Sequence, residues 1–118
     1  MKIRPTQIRA FQAAARASAS ERVLAYLERE GDPVFLQMEP ASRQKLVDHA
    51  IVKATDFGFE SDWAFAWFAE MFLEVGPRFY LQPVINKVLR TPASSEQMKL
   101  SRVTELPSED DWEDAATL

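Results

Sequence analysis

Residues 61–80 read SDWAFAWFAEMFLEVGPRFY, and the reading of this stretch decides the fold. Ser61 offers an N-cap and Asp62 places a carboxylate in the first turn, against the positive end of a helix dipole. From there Trp63, Phe65, Trp67, Phe68, Met71, Phe72 and Val75 follow without a break until Gly76-Pro77, with Phe79 and Tyr80 at the exit. At 3.6 residues per turn these side chains fall on several faces, whereas an amphipathic surface helix needs one stripe. The helix must therefore be enclosed, by this chain or by a partner. Trp67, Phe68, Met71 and Phe72 are expected in the core. Trp63, Phe65, Phe79 and Tyr80 stand at the ends of the helix, where cover from neighbours is thinnest, and are the expected partner-binding residues, since aromatic anchors dominate interfaces.

The rest of the chain is punctuated into further helices. Thr6 is the expected N-cap of a first helix that has no Gly or Pro up to Gly31 and ends at Gly31-Asp32-Pro33. Ile8, Phe11, Ala15, Ala19, Val23, Tyr26 and Leu27 mark its apolar stripe. After a short apolar segment, Val34 to Leu36, a second helix starts near Pro40, turns Leu46, Val47, Ala50, Ile51 and Ala54 inward, and stops at Gly58. The aromatic helix is third. A fourth fits PVINKVLR from Pro83, and a fifth, opened by Ser94 and Gln97 at capping-box spacing, reaches about Glu105. Ala, Leu, Glu, Gln, Arg and Met outweigh β-branched residues, and with only 3 Gly the class is all-α, a compact bundle of four to five helices around the aromatic one. The 118 residues divide into one helical domain, 1–106, and an acidic segment, 107–118, which lacks periodicity and is expected to be mobile.

Charge is polarised. Lys2, Arg4, Arg9, Arg16, Arg22 and Arg29 face only Glu21 and Glu28 in residues 1–29, while PSEDDWEDAATL from Pro107 to Leu118 carries five acids and no base. The basic residues do not line one face, no aromatic side chains interleave with them, and the net charge is −4, so nucleic acid is not the expected partner. Trp112, alone among acids, has the look of a short linear binding segment.

Catalytic chemistry finds little foothold. With 0 Cys there is no thiolate nucleophile or thiolate metal site. His49, the single histidine, has no nucleophile or metal-ligand spacing beside it and reads as structural. Glu70 and Glu74 stand four apart, as a carboxylate pair could, but two acids on an apolar helix read more simply as its solvent-facing strip. The glycines occur singly, so no phosphate-cradling loop is formed. No enzyme activity, metal or cofactor is expected. No apolar run reaches the ~18 residues of a membrane span, and the N-terminal residues have no signal-peptide h-region, so a cytoplasmic location is expected.

Ala54-Thr55-Asp56-Phe57-Gly58-Phe59-Glu60-Ser61, followed by Trp67-Phe68-Ala69-Glu70-Met71-Phe72-Leu73-Glu74-Val75-Gly76-Pro77-Arg78-Phe79, resembles the pattern of a family of small helical proteins encoded in bacterial type VI secretion clusters. In that pattern an A-x-x-x-G-[IF]-x-[ST] turn leads into [FW]-x-x-x-M-F-x-x-G-P-x-F. The resemblance covers most of residues 6–102. It departs in the linker Leu81-Gln82-Pro83, which is more acidic in the family, and in the Trp-bearing acidic end. It implies a neighbourhood of spike proteins, tip proteins and toxic effectors, and a non-catalytic adaptor or co-chaperone that binds an effector, its loading chaperone or a spike component. An immunity protein occluding a co-encoded toxin is the alternative, with the acidic end suited to a basic nuclease cleft.

Overall fold

A computed structural model describes the backbone from residue 5 and the side chains from residue 18 to the C-terminus. Among the described residues it holds seven α-helices and a single 3₁₀ turn. Helix α1 spans Pro5–Glu30, so Thr6 lies in its first turn rather than capping it. The expected inward side chains Ile8, Phe11 and Ala15, and the basic residues Lys2, Arg4, Arg9 and Arg16, lie outside the described side chains. Gly31, at φ +75°, ends α1 in the left-handed region that glycine enters without strain.

The apolar segment after it is helical, not extended. Asp32 accepts from the N–H groups of Val34 and Phe35 at 2.9 and 3.1 Å, and Pro33 stands at the first position of α2, Pro33–Gln37. Arg43 then closes the other end. Its Nε donates to the carbonyls of Phe35 and Met38, and Nη2 to that of Leu36, satisfying orphan acceptors at a helix C-terminus.

Helices α3, Pro40–Asp56, and α4, Asp62–Glu74, pack against each other and against α1. Val47, Ala50, Ile51 and Ala54 of α3 meet Ala64, Phe65, Phe68, Ala69 and Phe72 of α4 in one buried cluster with Val23 and Leu27 of α1. Small alanines at the contact let the helix axes approach closely. Buried Ser20 of α1 donates to Asp48 at 2.9 Å and accepts from Gln44 at 2.5 Å, both on α3, so this polar side chain is satisfied where it enters the core.

The 3₁₀ turn Phe79–Leu81 leads into α5, Pro83–Arg90, and then α6, Glu96–Glu105. The N-cap of α6 is Ser95, whose Oγ accepts from the Met98 N–H at 3.1 Å, one residue later than the expected Ser94. Ser61 stands at the expected N-cap position of α4, but its side chain makes no cap hydrogen bond and its Oγ is buried without a partner. Glu96 of α6 holds the chain just before the helix, accepting from the N–H of Glu60 and, at 3.2 Å, of Ser61. Lys99 reaches back the same way, donating to the Phe57 carbonyl and lying 5.3 Å from the Phe59 ring centroid; burial pulls its ammonium below the usual lysine range. Two side chains thus staple α6 to the α3–α4 turn.

Residues 107–118 are not a structureless tail. Glu109–Ala116 form helix α7, opened by a reciprocal capping box in which Ser108 and Asp111 each accept from the other's N–H. Its acids Glu109, Asp110 and Asp111 occupy the first turn, where the dipole favours negative charge. Ala115 and Pro107 are buried, and half-buried Trp112 stacks on Phe79 at 6.4 Å. The helix therefore has an apolar face of its own, with Glu109, Asp110 and Glu113 exposed and Asp111 and Asp114 turned toward buried Gln82.

Candidate functional site

The five side chains expected to bind a partner do not form one site. Phe65 is buried and Phe79 has no exposed surface, so both are corrected to core residues. The C-terminal end of α4 is not thinly covered, because the turn after it folds Phe79 back under Trp67, Phe68, Phe72 and Tyr80, with Trp112 closing the cluster from α7. Tyr80 is half-buried, with Lys53 over its ring at 5.2 Å, on the side of the molecule where Asp56, Asn86 and Arg90 also lie. Trp112 is committed to Phe79. Trp63 alone of the five stands open, with 48% of its surface exposed.

What surrounds Trp63 is a groove of about 670 Å³ between α1 and α4, closed at one side by Leu100 of α6. Trp63, Ala66, Trp67 and Glu70 line one wall, and Arg22, Ala25, Tyr26 and Arg29, with Val23, the other. The spacing explains both walls: positions i, i+3, i+4 and i+7 of a helix share a face. Trp67 is only half-buried because this is its outer edge; its inner edge meets Phe68 and Phe79 at 5.3 and 5.7 Å.

The groove is electrically divided. At the Trp63 end Arg22 is neutralised by Asp62, Nε and Nη2 donating to the two carboxylate oxygens at 2.5 and 3.1 Å. At the other end lies Glu70, half-buried and facing Tyr26. Burial first, and then the nearby charges of Glu74 and Glu30, raise its carboxyl above the usual range. Burial and the same Glu70 charge also push up the Tyr26 hydroxyl. Among the described residues no base lies within ion-pair distance of Glu70. Glu70 is thus not part of a solvent strip with Glu74; it is the groove residue that the sequence reading misplaced. Its i, i+3, i+7 relation to Trp63 and Trp67 was the available signal.

His49 is exposed, with its ring stacked on Phe72 at 5.1 Å, and no candidate nucleophile touches it. Among the described residues there is no group of three or more His, Cys, Asp or Glu side chains that could hold a metal ion, and no helix long and apolar enough to cross a membrane. A second apolar groove, between α5 and α6, is lined by Val84, Val88 and Leu106 with Lys87 and Arg102 at its edge. No protein-family model, no curated protein and no solved structure matches this chain.

Proposed function

We propose that the protein is a non-catalytic accessory protein, an adaptor or co-chaperone, that holds a partner protein in the groove between α1 and α4. The observation that carries this reading is Trp63, a large apolar side chain half exposed in a groove wall that it shares with the half-buried Trp67. Exposed Trp beside a preformed apolar cleft is the composition of an interface hot spot. In this reading α4 is the central element, its inner face building the core and its outer face the interface.

The resemblance to type VI secretion proteins supplies the partner: an effector, its loading chaperone or a spike component, bound in the bacterial cytoplasm before export. The test is calorimetric titration of the co-encoded effector and chaperone into the wild-type protein and Trp63→Ala. Binding by the wild type and a large loss in the variant are expected; equal affinity removes the groove from the interface. An immunity protein is the second reading, favoured by the exposed acids Glu109, Asp110, Glu113 and Asp114 on α7. Failure of the wild type to protect cells from the co-encoded toxin rules this reading out, and a variant with these four changed to Gln or Asn that still protects removes the acidic face of α7 as the blocking surface.

A further inference from the structure

We propose that the partner segment seated in the α1–α4 groove is an amphipathic helix that places a lysine or arginine against Glu70, with apolar side chains on Trp63 and Trp67. This rests on the docking reading above and specifies the chemistry of what docks. Three observations lead to it. The carboxylate of Glu70 is half-buried in the groove and partly stripped of water, and among the described residues no base pairs with it. The ionised groups that act on it most are acids, Glu74, Glu30 and Asp32, while Arg22 is spoken for by Asp62 and exposed Arg29 stands beside Tyr26.

Finally, α1 ends at Glu30 and α4 at Glu74, so the negative ends of two helix dipoles meet at the Glu70 end of the groove. Tyr26 and Trp67 line the groove together with Glu70, and aromatic side chains beside a carboxylate add to the attraction for a cation that can reach a ring face. The length also fits. From Asp62 to Glu70 the wall is about 12 Å at 1.5 Å per residue, which is about two turns of a docked helix. A cationic side chain at one end of such a helix would stabilise Glu70 in its charged form.

The experiment uses two matched probes, 4-phenylbutylammonium and 4-phenylbutyrate, titrated into the full chain at neutral pH and followed by ¹H–¹⁵N spectra. The ammonium should shift the indole N–H signals of Trp63 and Trp67 and the Tyr26 and Glu70 amides, leave Trp112 unmoved, and bind weakly, in the millimolar range. It should bind about tenfold tighter than the carboxylate, as one desolvated ion pair with an aromatic neighbour allows. Glu70→Gln should abolish the preference and Glu70→Lys reverse it. Equal binding of the two probes, a preference that survives Glu70→Gln, or no shift at the groove with either probe overturns the proposal. Cation selectivity can fail while Trp63→Ala still loses the partner protein, in which case the groove docks by apolar contact alone; if Trp63→Ala keeps the partner, it is the docking reading that falls.

Discussion

Glu70 carries an unusual cost for a residue on the outer side of a helix. Its carboxyl is raised by burial and by the charges of Glu74, Glu30 and Asp32, with Tyr26, Arg29 and the Asp62-paired Arg22 the other titratable or charged groups of α1 in the groove. A carboxyl whose folded pKa lies above its unfolded value destabilises the native state when both forms are ionised, and this penalty is relieved as pH falls through the folded value toward the unfolded one. Glu70→Gln is therefore expected to stabilise the protein at neutral pH and to lose that advantage below the ordinary carboxylate range. Urea melts of both proteins at the two pH values check this. A variant less stable than wild type at neutral pH would mean that Glu70 is already well paired. The aromatic residues divide by the same criterion of enclosure. Phe79 has no exposed surface and touches four other rings besides Trp112, so Phe79→Ala is expected to cost about 3–5 kcal/mol through lost transfer and cavity energy. Trp63→Ala should cost under about 1 kcal/mol, near the range of surface substitutions. If the two variants melt alike, the core and the groove have been wrongly separated.

At the scale of elements, α7 depends on Gln82 as much as on its own cap. Gln82 is buried, 4% exposed. Its carbonyl oxygen accepts from the Ile85 N–H at 2.9 Å, capping α5, and its amide donates toward Asp111 and Asp114 of α7 at 3.3 and 3.4 Å. One side chain thus joins two helices. Gln82→Leu is expected to release α7, and Ser108→Ala to weaken it by about 1 kcal/mol, the usual worth of an N-cap. Both should speed amide exchange in residues 109–118 and, in a Trp63→Phe, Trp67→Phe background, move Trp112 emission to the red and open it to quenchers. Unchanged exchange in Gln82→Leu would show that Trp112 on Phe79 suffices to dock the helix. The elements that the sequence did reveal are those with strong punctuation. Pro40 and Pro83 begin α3 and α5, and Gly58 and Gly76-Pro77 end α3 and α4, within a residue or two. What stayed hidden was short or masked by charge. The five residues of α2 are too few for a periodic signal, and α7 has its Ser108–Asp111 box and its Trp112, Ala115 face buried among acids that read as a solvated tail.

The groove belongs to the whole molecule, which is why local reading found one wall's Trp63 and not the site. Its walls are 40 residues apart in sequence, and nothing in either helix tells which face will meet the other. Tertiary position also reversed two assignments, enclosing Phe65 and Phe79 and bringing Glu70 inward. The same dependence yields a prediction about α6, which contributes Leu100 to the groove and is held by Glu96 across the start of α4. The Glu96 carboxylate accepts two backbone N–H groups, of Glu60 and Ser61. Hydrogen bonds to a charged group are worth about 1.5–3 kcal/mol, and their loss leaves the two N–H groups that lead into α4 without this acceptor, beside the partnerless Ser61 Oγ. Glu96→Ala should therefore destabilise the chain by an amount in that range. Because Leu100 stands one turn further along α6, it should also loosen the groove, raising quencher access to Trp63 and weakening partner binding with no groove residue changed. Glu105→Ala, at the exposed end of the same helix, is the control and should do neither. If Glu96→Ala lowers stability yet leaves Trp63 access and partner affinity at wild-type values, α6 is a support for the core alone, and the groove is made by α1 and α4 without it.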